Sequence, residues 1–497
     1  MGDGAASGAV VSRSSLPFRI STPVGLAAGA ILVLGLVLRI LGARGELWFD
    51  ELWSLLLIDE MKARHDLLWG LALDNNHYLN TLYLYLVGAD APTLLQRGLS
   101  ILLGTITVAV AGLAVRSATA AGPLAAMALF AVSYPMVNYG SEARGYAGLI
   151  LMTLLALLLV ERAAAGSNSA RRRLGLVNVL GTMFQPIMLG GLAAEMAWAG
   201  WMHLPAGRPT RRGVLATIRA TALTFSWTVR LLIPFAAIIA FAVLHADGYR
   251  IAGTLPFTAQ GFVEGYGGLL HLLLGLPEET PAWLALTIAM AATAAASALV
   301  FKADRTRLAL YLIFVVGLPL LMFVARLPNM QFPRYYLASG IVFMLALCDL
   351  FAWAWQRGAA WRATALVLLL AILVGNAFAD ARLLKDGRDQ SAAVMQMIGQ
   401  SASGAGPVLV TSDQDLRNRP VVEYLARRLN LPLTYVPTAE ICAKQPVWML
   451  SSSVDAEMPD ALDTSVVGCK KMFIKQAAFP HWGLSGLPWI VYRAENQ

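Results

Sequence analysis

The sequence predicts a polytopic α-helical membrane protein that carries a small extracytoplasmic α/β domain at its C-terminal end. Composition, apolar runs and the placement of basic residues predict it. Hydrophobic residues make up 58% of the 497-residue chain and charged residues only 14%, whereas soluble domains hold about 45–50% and about 25%. The mean hydropathy is +0.62. The apolar residues gather into runs that approach the roughly 20 residues needed to cross a bilayer as a helix. The basic residues fall in short clusters between these runs. A net charge of +8 therefore follows the positive-inside rule and does not mark a nucleic-acid surface.

The candidate spans are 22–42, 98–115, 123–139, 146–163, 174–187, 189–204, 229–246, 282–301, 308–325, 336–353 and 363–379. That is about eleven crossings, or about twelve if the apolar stretch 79–89 also spans. Arg13 and Arg19 precede the first run and no small-residue cleavage site follows it, so it reads as a retained helix with residues 1–21 in the cytoplasm. Arg116, Arg171 to Arg173, Arg208 with Arg211 and Arg212, Lys302 with Arg305 and Arg307, and Arg357 with Arg362 all fall on one face, the cytoplasmic one. Reading 79–89 as a helix in the outer interface keeps every cluster on that face. The segments 43–97, 140–145, 247–281 and 326–335 then share the opposite face, together with the tail from about residue 380.

The tail differs in kind. Val408–Thr411, Leu433–Val436, Val447–Leu450 and Trp489–Tyr492 read as short buried strands, and Pro420 to Asn430 as a helix with Asp413 or Asp415 near its start. Residues 380–497 thus form an outer α/β domain of roughly 115 residues, enough for its own core, and residues 22–379 form the membrane domain. Cys442 and Cys469 fall in the outer domain, where an oxidising compartment would allow a disulfide and a reducing one would leave two thiols. Cys348 lies in a span as a small apolar residue. No internal repeat of the kind that builds many transporters is visible.

Polar residues with chemical potential collect on the outer face. Asp50 and Glu51 stand among tryptophans just past the first span. Asp50 can cap a helix starting at Glu51 by accepting the Trp53 amide, and a carboxylate held that way can also serve as a general base. Asp74 to Asn80 places Asn76, His77 and Asn80 before an apolar run, as a polar turn or as a lip for a sugar or phosphate. Ser141, Glu142, Arg144 and Tyr146 bridge the end of one span and the start of the next, where a charge needs a partner or a task. Arg334, beside Tyr335, is either a snorkelling arginine of an aromatic belt or a donor fork for phosphate. Acids, a histidine and arginines on one face suit transfer from a lipid-phosphate donor, which needs a base for the incoming hydroxyl and cations for the leaving phosphate.

Taken in order, these motifs resemble the GT-C superfamily of polyprenyl-phosphate-sugar glycosyltransferases. The branch they resemble holds protein O-mannosyltransferases, lipid A aminoarabinose transferases and rhizobial galacturonosyltransferases. The resemblance rests on Asp50-Glu51, on Asn76 to Asn80 with Tyr83 and Tyr85, on Ser141-x-x-Arg144-x-Tyr146 and on Pro333-Arg334-Tyr335, over residues 20–350. One departure is His77-Tyr78-Leu79, where the family often has a His-Pro-Pro or Lys-Pro-Pro run. The resemblance implies a GT-C-like fold and inverting transfer on the extracytoplasmic face. Asp50 would be the base, Glu51 would position the acceptor or the base, and Glu142 would lie across the cleft. Arg144, Arg334 and His77 would meet the donor phosphate, with Asn76, Asn80, Tyr146 and Tyr335 on the substrate. The implied partners are the lipid-linked sugar donor, a glycan, glycolipid or protein acceptor, and the bilayer, with no nucleic acid and no cofactor. Asp50, Glu51 and Glu142 are the acids that could converge on a metal, but no Asp-x-Asp pair occurs in the first two outer segments and none is expected. The Ala- and Arg-rich composition points to a bacterial inner membrane with its outer face in the periplasm.

Two other classes stay open. A lipid-linked-sugar flippase would want ionisable residues deep in the spans, where Arg39, Glu195 and Arg230 are the notable ones. A receptor would work through the outer domain, where Asp413, Asp415, Arg417 and Arg419 cluster.

Overall fold

The computed structural model describes residues 22–73, 77–205, 210–249, 254–301, 303–401, 406–452, 459–463 and 471–495. Asn76, expected at the site, lies outside them. Seven helices among the described residues are long and apolar enough to cross a membrane. They are α1 (Thr22–Gly42), Tyr146–Ala164, Ser226–His245, Ala282–Val300, Arg305–Val324, Pro333–Trp355 and the run Ala359–Gln400, which breaks after Asp386. The other four expected runs fold as shorter helices. Gly98–Ala114 has 17 residues. The run at 123–139 breaks at Ser133, where the chain turns extended and restarts with Pro135 in the first turn of a six-residue helix. Asn168–Phe184 and Met188–His203 form a hairpin turned at Gln185-Pro186.

Between the first two apolar helices the chain builds α2 (Phe49–Arg64) and α3 (Tyr78–Val87). The α2 start differs from the cap expected of Asp50. Trp48 is the N-cap, and Glu51 at the third helical position reaches back to accept its amide at 3.2 Å. Asp50 is thereby left free for other contacts. Helix α3 covers the stretch 79–89. Ten residues rise only about 15 Å, half of the hydrocarbon core of about 30 Å.

The tail follows α4 (Ala359–Asp386), a helix of 28 residues, and α5 (Ser391–Gln400). It forms a six-stranded sheet of order β2-β1-β3-β6-β5-β4. The strands are β1 (Val408–Ser412), β2 (Leu433–Tyr435), β3 (Trp448–Ser451), β4 (Ala461–Asp463), β5 (Met472–Phe479) and β6 (Trp489–Ala494). The first three are parallel and the rest antiparallel. Helix α6 (Asp415–Arg428) crosses from β1 to β2 and starts ahead of the expected Pro420, because the Arg417 and Asn418 amides bond back to the Gln414 carbonyl. The strands β4 and β5 escape the sequence reading, since half-exposed residues interrupt their apolar pattern. Cys442 is disulfide-bonded, and Cys469, its expected partner, lies outside the described residues.

The sheet domain does not keep its core to itself. Leu47, Leu52, Leu55 and Ile58, at and within α2, share one apolar cluster with Val394, Val410, Val421, Leu425 and Trp489. Arg428 of α6 adds a bond to Glu46 at 2.9 Å and one to the Thr93 hydroxyl at 3.0 Å. This burial seats α2, and with it Asp50, against the sheet domain.

Candidate active site

The first outer loop is anchored by an ion pair with no solvent access. Glu51 accepts both Nε and Nη2 of Arg97, at 2.8 and 2.6 Å, and both side chains are 0% exposed. The same carboxylate accepts the Ala143 amide at 2.6 Å, which ties the loop to the segment 140–145. Arg97 spends its other donors on the carbonyls of Ala43 and Glu46, at 2.9 and 3.0 Å. Burial alone would raise the Glu51 pKa, but the Arg97 charge and hydrogen bonds outweigh it and hold it below the usual carboxylate value. Glu51, expected to position the acceptor or the base, is thus sealed inside the protein.

Asp50 faces the other way and emerges at the surface. Its Oδ2 meets Arg144 Nη1 at 2.7 Å and Arg334 Nη1 at 3.8 Å. The Asp50 side chain is 18% exposed, that of Arg334 22% and that of Arg144 4%. A carboxylate is therefore shared by two guanidinium groups at the mouth of the site. Arg334 rides on the short turn Pro333–Tyr336, with its charge over the Phe332 ring at 4.4 Å. That turn is locked by Tyr336, whose hydroxyl donates to the Met330 carbonyl at 2.9 Å and whose ring stacks on Tyr266. Tyr335 stays half-buried beside it.

Beneath Arg144 sit the residues that orient it. Its guanidinium lies over the Tyr146 ring at 4.9 Å, and its Nε donates to His77 Nε2 at 3.1 Å. His77 Nδ1 faces the Phe184 carbonyl at 3.2 Å. A ring that accepts on Nε2 and donates from Nδ1 is neutral and has one defined tautomer. Burial first, and then the Arg144 charge, push its pKa well below the ordinary 6.5. Asn80 Nδ2 donates to the Ala143 carbonyl at 2.7 Å, and the Ser100 hydroxyl to that of Arg144 at 3.0 Å. His77, Asn80 and Tyr146, expected at the phosphate or the substrate, are all buried and engaged by the protein itself.

A folded-state His77 that resists protonation makes stability pH-dependent. The unfolded chain takes up a proton below about 6.5 while the folded one does not, so this contribution is complete above that pH and is lost as pH falls below it. Replacing His77 by Ala should remove that acid-side dependence and take away the acceptor of Arg144 Nε. We expect a loss of about 1–3 kcal/mol of stability at neutral pH, in line with the removal of one partner of a buried hydrogen bond. Thermal melts between pH 5 and 8 would check both.

Glu142 lies on the same loop. Its Oε1 accepts Trp48 Nε1 at 2.6 Å and the Ser485 hydroxyl at 3.0 Å. Burial raises its pKa against the pull of Arg144 and Arg388. Arg388 binds the Asn138 carbonyl at 2.9 Å and the Ser141 hydroxyl at 2.7 Å, and also bonds the Gly42 carbonyl. Sequence reading missed Arg97, Arg388, Trp48 and Ser485. Arg97 did leave a trace: it is an arginine directly before an apolar run, where a charge needs a partner. Ser485 left none.

The structure thus brings Asp50, Arg144 and Arg334 together, with Asp50 and Arg334 partly exposed and Arg144 buried beside Glu51, Glu142, His77, Asn80 and Tyr146. No cluster of three or more metal-ligating side chains occurs among the described residues. No protein-family model and no curated protein matches the chain. Among solved structures, it is similar to ArnT from Cupriavidus metallidurans bound to undecaprenyl phosphate, with a TM-score of 0.51 and 13% identity over 94% of this chain and 97% of that one. Against ArnT from the same organism in the apo state the TM-score is 0.49, at 11% identity over 95% and 98%. At such identity the likeness to the lipid-bound structure is one of fold. It joins the apolar helices and the C-terminal sheet domain of this chain in one ArnT-like fold.

Proposed function

We propose that the protein is an inverting glycosyltransferase that moves a sugar from a polyprenyl-phosphate donor to an acceptor hydroxyl on the extracytoplasmic face of the membrane. The observation that carries this reading is the sharing of the Asp50 carboxylate by Arg144 and Arg334 at the mouth of the site. The ArnT-like fold supports it, since that relative was crystallised with undecaprenyl phosphate.

In the resting site the Asp50 carboxylate pairs with both arginines. A donor phosphate brings its own negative charge to Arg144 and Arg334, which releases Asp50 to face the acceptor. The acceptor oxygen then attacks the anomeric carbon as its proton passes to Asp50. The bond from that carbon to the phosphate oxygen breaks, and the polyprenyl phosphate leaves with its charge held by the arginines. One displacement inverts the anomeric centre. Glu51 and Glu142 take no proton in this scheme; they fix the two loops. Tyr335, beside Arg334, is placed to touch the sugar or the acceptor. No metal is required, because two guanidinium groups supply the cationic charge.

Mass spectrometry of envelope glycolipids and polysaccharide from a deletion strain tests the reading. Loss of one sugar mass, restored by the wild-type gene, would name donor and acceptor together. An unchanged envelope with altered uptake or lipid transbilayer movement would favour a flippase instead. Truncation offers a second check. A receptor working through its sheet domain would keep ligand binding in that domain alone, whereas a transferase with a shared core should lose activity when residues 388–497 are removed.

A further inference from the structure

The connection between β5 and β6, residues 480–488, leaves the sheet and reaches the outer end of the membrane domain. The Trp482 ring lies 5.1 Å from that of Tyr134 and is covered by the Arg382 guanidinium at 4.6 Å. The Leu484 amide donates to the Tyr134 hydroxyl at 3.0 Å. Ser485 accepts from Asn138 Nδ2 at 2.8 Å and donates to Glu142 Oε1 at 3.0 Å. Two glycines make this approach feasible. Gly483 and Gly486 have φ of 94° and 113°, in the region that side chains avoid. A Cβ on Gly483 would stand 2.2 Å from the Tyr134 hydroxyl, and one on Gly486 would stand 2.0 Å from the Arg388 carbonyl oxygen.

Glu142 links this finger to the site. The Oε1 atom that takes Ser485 also takes Trp48 Nε1, and Trp48 is the residue from which α2 and Asp50 start. Two residues along the same loop is Arg144, which holds Asp50. The other oxygen, Oε2, is buried with no hydrogen-bond partner among the described residues, so Oε1 carries the carboxyl's side-chain hydrogen bonds. Burial of a polar atom without a partner is costly, and a loop that bears such an atom needs its remaining bonds to stay in place.

We propose that the 480–488 finger of the C-terminal domain is a positioning element of the active site: Ser485 pins Glu142 between the two outer loops and thereby sets Arg144 against Asp50. The C-terminal domain then completes the site instead of accompanying it. The step from finger to donor binding rests on the reading of Arg144 and Asp50 given under the proposed function, while the step from Ser485 to the loop stands without it.

The test uses the full chain in lipid nanodiscs, as wild type, Ser485→Ala, Ser485→Thr and Gly486→Ala. Amide hydrogen exchange is followed over residues 140–146 and 48–54, and undecaprenyl phosphate is the binding probe. Ser485→Ala should speed exchange over 140–146 by about tenfold, with the membrane helices unchanged, and weaken undecaprenyl phosphate by a similar factor, as expected for loss of one charge-assisted bond to a buried carboxyl. Ser485→Thr keeps the hydroxyl and should behave as wild type, which a general packing role would not produce. Gly486→Ala should match or exceed the alanine variant. Unchanged exchange over 140–146 in both Ser485→Ala and Gly486→Ala would overturn the proposal, as would a threonine variant no better than alanine. If wild type fails to bind undecaprenyl phosphate, the lipid-donor reading falls, and the exchange results still decide whether the finger holds the loop.

Discussion

On the proposed mechanism, Asp50→Asn should abolish most turnover while leaving lipid binding intact. The substitution keeps shape and removes the proposed proton acceptor, and general-base catalysis typically contributes about 10²–10⁴-fold. It also deletes the charge that Arg144 meets at 2.7 Å and Arg334 at 3.8 Å. The two guanidinium groups then lose that shared partner, and a phosphate can take its place. Affinity for undecaprenyl phosphate should therefore hold or rise as the rate falls. A fall in kcat without a rise in KM for the donor is the pattern of a group used in the transition state. Arg334→Ala should show the opposite balance, with weakened lipid binding and a smaller loss of rate. Purified variants assayed with the donor that the envelope analysis identifies would show both. Wild-type turnover by Asp50→Asn would eliminate the mechanism.

The second large effect is on folding. Arg97→Ala leaves Glu51 charged, desolvated and unpaired at 0% exposure. Breaking a buried pair by removing one partner costs about 3–5 kcal/mol. We expect the outer loops to open, with low yield and early unfolding in detergent, measured by thermal melts and size-exclusion profiles. The same number explains why the pair is not simply a stabilising ornament: two apolar residues of similar volume can be as stable as a buried ion pair. A Glu51→Leu, Arg97→Met double variant should therefore recover part of the loss. Recovery should stay incomplete, because Arg97 also satisfies the carbonyls of Ala43 and Glu46, and Glu51 the amides of Trp48 and Ala143. A double variant as unstable as Arg97→Ala would mean that those backbone bonds, not the ion pair, carry the loop.

Asp50 and Glu51 show how adjacent residues diverge. On a helix, neighbours in sequence lie about 100° apart around the axis, so one carboxylate can face the opening while the next faces the core. The sequence marks both as acids beside tryptophans and offers no means to rank them. Their burial depends on where α2 is seated, and that is decided by Val394, Val421, Leu425 and Trp489, more than three hundred residues away. The elements His77, Asn80 and Tyr146 tell a related story. Each lies within a motif that also holds a residue at the opening or supports one, yet each is engaged from beneath.

The sequence by itself determined the membrane class, the location of the longest spans and the presence of a strand-bearing tail, because burying apolar surface and alternating basic loops leave their mark in local composition. It also placed the chemistry-bearing residues in the loops between apolar runs, since charges near a bilayer are rare enough to stand out. Only the tertiary structure decided which of them meet. The pairing of Arg97 with Glu51, the meeting of Arg334 with Asp50 and the docking of Ser485 on Glu142 join segments separated by tens to hundreds of residues. Such contacts are set by how the helices and the sheet domain pack, and nothing within a few residues of either partner encodes that packing.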